Sequence, residues 1–94
     1  MFTNGIPLFK QINDSLSLRR LTLRFDPLQT ASVGSIGIQT VCCATGSAIS
    51  YKFDDNLIYG FYNGIDTDGA VIGNMWRNGV YNSVSHGIIA RSIQ

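Results

Sequence analysis

The stretch Ala70–Asn82, AVIGNMWRNGVYN, decides how the chain is read. An apolar run ending in Met75 and Trp76 meets Arg77-Asn78-Gly79, and a second apolar run begins at Val80. Asn-Gly supplies the positive φ angles that a two-residue hairpin turn requires, because those angles match the twist of the flanking strands. The spacing therefore predicts a hairpin in which "AVIGNMW" pairs antiparallel with "VYNSVSHGIIARSI". Gly87 inside that last strand predicts a bulge.

Working outward, the same period-two alternation recurs. "AISYKF" places Ile49, Tyr51 and Phe53 on one face and Ser50 and Lys52 on the other, a half-buried strand. "SVGSIGIQTVCCA" places Ile36, Ile38, Thr40 and Cys42 on one face and Val41 and Cys43 on the other, so its end reads as buried on both sides. "LIYGFY", Leu57 to Tyr62, is apolar on both faces and reads as a central strand or one that meets another chain. "SLSLRRLTLRF" changes phase midway: Leu16 and Leu18 share one face, whereas Leu21, Leu23 and Phe25 share the other. One extra residue at Arg19 or Arg20, a β-bulge, reconciles them. Pro27 then ends the strand, since it lacks an N–H. "NGIDTDG", Asn63 to Gly69, reads as a long polar turn and an exposed contact loop. Asn-Gly followed by Ile or Val recurs at Asn4, Asn63 and Asn78, the latter two fifteen residues apart; that spacing is assigned to recurring turn chemistry rather than to a fibre repeat.

Composition agrees with strands. Every acidic residue is an aspartate, and Gly alone contributes 10 residues, so good helix formers are scarce. At 94 residues the chain makes a single domain, residues 1–94. The expected fold is all-β: a small antiparallel β-sandwich or barrel, Ig-like or jelly-roll-like, of about six to eight strands. Charged residues are 14% of the chain and the net charge is +1. Such a surface has little self-repulsion and favours association. The start, "MFTNGIPLFKQIND", has no apolar core of signal-peptide length. Synthesis in the cytoplasm without a signal peptide is the expectation, and no apolar run is long enough to span a bilayer.

Chemistry-bearing groups are sparse. Asp66 and Asp68 resemble part of a calcium loop, but aligning Gly69 with the loop glycine leaves Gly64 and Met75 at ligand positions, so no metal is assigned. The same pair lacks the apolar pocket that would raise a carboxyl pKa for acid catalysis. His86 is the sole histidine, and no nucleophile pairs with it. Cys42 and Cys43 are adjacent and point to opposite faces of a strand, so neither a mutual disulfide nor a metal site is expected. No catalytic residues and no cofactor are assigned, and the chain is not expected to be an enzyme. The contact residues are sought elsewhere. Arg19, Arg20 and Arg24 form the one basic cluster, although a pI near 7.8 argues against nucleic acid. Tyr59, Tyr62, Trp76, Arg77 and Tyr81 flank the Asn-rich turns, as hot-spot residues of interfaces do. With Asp66 and Asp68 they make up the candidate contact set.

The C-terminal segment "GAVIGNMWRNGVYNSVSHGIIARSI", through Gly69, Gly73, Asn82 and Val84, resembles small all-β structural proteins of tailed phages. That resemblance implies a capsid-decoration, tail or fibre protein located in the virion. The expected function is a non-enzymatic structural assembly protein whose partners are copies of itself, a capsid protein or a tail shell protein. The alternative is a carbohydrate-binding domain that uses Tyr62, Trp76 and Tyr81 beside the turn at Asn63 to Gly69.

Overall fold

The computed structural model describes residues 4–11, 15–41, 49–68 and 71–90. Cys42, Cys43 and Gly69 lie outside these residues. Ten strands follow in order: β1 (Phe9–Gln11), β2 (Ser15–Arg19), β3 (Thr22–Arg24), β4 (Ile36–Val41), β5 (Ile49–Asp54), β6 (Leu57–Tyr59), β7 (Asn63–Asp68), β8 (Val71–Trp76), β9 (Gly79–Tyr81) and β10 (His86–Ala90). They form three sheets, ordered β1-β4-β7-β10, β2-β5-β8 and β3-β6-β9. Every pairing in all three sheets is parallel.

Each sheet thus takes every third strand. The chain runs β1-β2-β3 around three faces, then places β4-β5-β6 on top and β7-β8-β9 on top of those. This is a three-faced parallel β-helix of stacked rungs, and it replaces the expected antiparallel sandwich or barrel. Asn78-Gly79 closes no hairpin; it turns the chain from β8 into β9, which belong to different sheets. Alternation of apolar and polar residues is common to both architectures, so it cannot distinguish them. The turns distinguish them.

At the corner between the second and third sheets, Arg20, Asp55 and Arg77 adopt left-handed φ angles of 54°, 56° and 53°. One residue in that conformation redirects the strand. The phase change at Arg19-Arg20 is therefore real, but a corner produces it rather than a bulge. Backbone ladders continue through the bend: the N–H of Leu57 donates to Leu21 O at 2.8 Å and that of Gly79 donates to Asn56 O at 2.8 Å.

The next residue at this corner stacks as Leu21, Asn56 and Asn78. Asn56 is fully buried. Its Oδ1 accepts from Leu21 N–H at 3.1 Å, and its amide donates to Leu18 O at 3.0 Å and to Asn78 Oδ1 at 3.0 Å. Asn78 in turn donates to Phe53 O at 2.8 Å. Buried backbone groups that the bend would leave orphaned are satisfied by side-chain amides, each of which both donates and accepts.

Register alignment stacks like on like in the core. Leu18, Phe53 and Met75 share one position, Leu23, Ile58 and Val80 another, and Phe9, Ile38, Ile65 and Ile88 a third. Ile38, Phe53, Ile58 and Ile65 are fully buried in one cluster with Phe25 and Phe61. Close approach favours glycine at several positions, Gly64 and Gly73 among them. A Cβ on Gly64 would strike Val80 and stand 2.7 Å from Gly87 O, and a Cβ on Gly73 would occupy the Tyr51 ring. Gly87 therefore belongs to a glycine column above Gly64 rather than to an isolated bulge.

The segment Asn63–Asp68 is also reassigned. It forms β7, which lies between β4 and β10, with Asn63, Ile65, Asp66 and Thr67 buried. An interior strand tolerates Asn, Gly and Asp here because both neighbouring strands complete its backbone pairing, whereas a turn reading relies on local propensity alone.

Candidate functional site

Parallel stacking turns the outer surface into columns of side chains spaced by the inter-strand distance of about 4.8 Å. Arg24, Tyr59 and Tyr81 occupy one register position on the third sheet. The Arg24 guanidinium lies 5.0 Å from the Tyr59 ring centroid, and the Tyr59 and Tyr81 rings stack at 5.2 Å and 19°. Both faces of Tyr59 are thereby used within the chain, while Tyr81 on the outermost strand is 49% exposed.

A second column, on the second sheet, contains Arg19, Asp54 and Trp76. The buried Asp54 carboxylate has its Oδ2 4.0 Å from Arg19 Nε and 3.8 Å from Lys52 Nζ, whereas its Oδ1 is buried without a hydrogen-bond partner among the described residues. Trp76 is 59% exposed. At the adjoining corner Arg77 grips Asp55 with a fork, Nε to Oδ1 at 2.9 Å and Nη2 to Oδ2 at 3.2 Å. Such an exposed pair orients the arginine more than it stabilises the fold, at about 1 kcal/mol or less. The same guanidinium lies 6.0 Å from the Trp76 centroid, at the outer limit of a cation–π contact. Arg20 is exposed at the corner below.

The contact residues proposed from sequence therefore divide. Arg24, Tyr59 and Tyr81 come together, as do Arg19 and Trp76 around Asp54, with Arg20 and Arg77 at the neighbouring corner. Tyr62 does not join either group: it is half-buried and packs against the core. Asp66 is buried within β7, and the backbone of Asp68 ends that strand, its side chain lying outside the described residues. The set of Tyr62, Trp76 and Tyr81 around a loop at Asn63 to Gly69, on which the carbohydrate alternative depended, is distributed over separate elements.

What sequence reasoning missed is the end of the stack. β8, β9 and β10 are each the outermost strand of their sheet. Trp76 on β8, Tyr81 on β9, Val84 in the connection that follows and Ile88 on β10 are between 48% and 59% exposed. Ile88 continues a column whose members Ile38 and Ile65 are fully buried, so its exposure follows from position in the stack and not from a polar environment. The signal was present in the repeat of apolar residues at one register position, but it is visible only once the rungs are aligned.

Among the described residues there is no group of three His, Cys, Asp or Glu side chains that could hold a metal ion, and no helix is long and apolar enough to cross a membrane. His86 is exposed, and its Nδ1 lies 2.8 Å from Ser85 Oγ. No family model matches the chain, and neither a curated protein nor a solved structure matches it.

Proposed function

We propose that the chain is a structural assembly protein that works as a stackable β-helical block, with its last rung docking onto copies of itself or onto a shell protein. The observation that carries this reading is the exposure of Trp76, Tyr81 and Ile88 on the outermost strands of the three sheets, with Val84 exposed in the connection between β9 and β10. An outer strand offers unpaired N–H and C=O groups as a template for a further strand. Apolar side chains beside that template add the hydrophobic term, which scales with the area removed from water. A net charge of +1 opposes such contact only weakly. The resemblance of the segment through Gly73, Asn82 and Val84 to phage structural proteins favours a tail, fibre or capsid-cement role in a virion as the setting. The block then acts passively, by burying surface.

Ile88→Arg tests this reading. Because Ile88 is 48% exposed but caps the column of Ile65, the substitution is expected to cost about 1 kcal/mol of folding stability, while placing a charge on the docking surface. Sedimentation equilibrium of the unaltered chain should show a concentration-dependent mass above that of one chain, and the variant should stay monomeric. An unaltered chain that remains monomeric and binds no assembled shell rules the proposal out.

A further inference from the structure

The three rungs differ most at the corner that leads from the third sheet back to the first. The connection there is residues 60–62 after β6 and 82–85 after β9, but residues 25–35 after β3. The long loop stands beside the stacked corners above it and encloses a groove of about 510 Å³. Its walls and floor include Arg24, Asp26, Gln29, Thr30, Tyr59 and Asn82, with Pro27 and Val84 as apolar contacts.

This loop is fixed in place before any ligand arrives. Asn4 Oδ1 accepts from Ser32 N at 2.9 Å, from Ser32 Oγ at 2.8 Å and from Ser35 Oγ at 2.6 Å, and its amide donates to Thr30 O at 3.2 Å. At the start of the loop, Asp26 Oδ1 accepts from Leu28 N at 2.9 Å and Asp26 Oδ2 from the Gln29 amide at 3.0 Å. A preorganised wall reduces the ordering entropy that binding must overcome.

We infer that this groove is a binding site for a neutral, hydroxyl-rich ligand, a short oligosaccharide segment. Its volume falls within the range of small-molecule sites, about 300–1,000 Å³. Gln29, Asn82 and Thr30 each present both a donor and an acceptor, which matches hydroxyl groups, themselves both donors and acceptors. One cation, Arg24, and one carboxylate, Asp26, leave the lining without a net sign, so a strongly anionic ligand is not selected. Both faces of Tyr59 are already covered, by Arg24 and Tyr81. The apolar face of a sugar ring therefore rests on Val84, 51% exposed, and Pro27 rather than on a stacked ring. This site is separate from β7, Asn63–Asp68, and shares none of its residues.

The test is a heteronuclear NMR titration of the full chain with chitotriose, cellotriose and maltotriose, alongside an array of neutral and acidic glycans. At least one neutral saccharide should shift the side-chain amides of Gln29 and Asn82. Asn82 has a φ of 56°, so Asn82→Gly removes its amide without straining the backbone. Combined with Gln29→Ala at an exposed position, which also removes the bond to Asp26 Oδ2, it should weaken binding at least tenfold while the amide spectrum of the strands stays that of the unaltered chain. The inference is overturned if no neutral saccharide binds, if binding is confined to acidic glycans, or if the double variant binds as the unaltered chain does.

Discussion

Asn56→Leu is expected to destabilise the chain by about 3–5 kcal/mol, because several buried polar groups lose their partners at once, each costing about 1–3 kcal/mol. The Leu21 N–H, the Leu18 carbonyl and the Asn78 amide oxygen all bond to this one side chain. Leucine keeps the branching and the heavy-atom count, and the larger volume of its two methyls adds an overpacking cost at this fully buried position. A domain of this kind has a total stability of about 5–15 kcal/mol, so the variant should lose much of its denaturation midpoint in urea. The m-value should hold, since the surface exposed on unfolding is the same. Asn78→Ala, at a half-buried position, should cost less. A loss below about 1 kcal/mol for Asn56→Leu would mean that the corner does not depend on the amide ladder.

Phe53→Ala should cost a comparable amount for a different reason. Phe53 is fully buried, sits in register between Leu18 and Met75, and stacks on Tyr51 at 4.7 Å and 19°. Truncation to alanine removes transfer free energy and leaves a cavity that rigid rungs on both sides cannot fill, about 3–5 kcal/mol in total. Because strands of all rungs stack on this column, the loss should appear as one cooperative transition at lower denaturant rather than as fraying of one rung. Guanidinium melts followed by both fluorescence and circular dichroism check this. Transitions that separate between the two probes would contradict it.

The sequence made strand content and inward faces legible, and left topology hidden. Phe53 inward with Lys52 outward, and Ile36, Ile38 and Thr40 sharing a buried face, follow from period-two alternation, which depends only on a strand having a wet and a dry side. The direction of pairing depends on corners. Asp55-Asn56-Leu57-Ile58-Tyr59-Gly60 and Arg77-Asn78-Gly79-Val80-Tyr81-Asn82 are the same corner and strand written twice, 22 residues apart in register. The Asn-Gly pairs fifteen residues apart are not equivalent positions of that repeat, because Asn63-Gly64 opens strand β7 whereas Asn78-Gly79 spans the corner between β8 and β9. The first rung obscures the period further: its equivalent positions lie 35 residues before those of the second, owing to the long loop at residues 25–35 together with the longer stretch between β4 and β5, and it carries Leu21 where the others carry asparagine.

The candidate surface was legible in part for the same reason. Arg24, Tyr59 and Tyr81 were singled out as residue types suited to contacts, and stacking unites them. Asp66 was singled out for its neighbours in sequence, whereas its burial comes from strands more than twenty residues away in register. Exposure at Ile88 had no local signature, since an isoleucine in a strand gives no indication of being the last in its column.

The stacked-rung architecture underlies every function proposed for the chain, and methyl-labelled nuclear Overhauser spectroscopy tests it most directly. Leu23, Ile58 and Val80 share one register position, as do Ile38, Ile65 and Ile88. Methyl cross-peaks are therefore expected between Leu23 and Ile58, Ile58 and Val80, Ile38 and Ile65, and Ile65 and Ile88. A hairpin at Asn78-Gly79 would instead bring the α-protons of Trp76 and Tyr81 together, the close approach found in antiparallel pairs. A strong α-proton cross-peak between Trp76 and Tyr81, with the four methyl contacts missing, would contradict the β-helix.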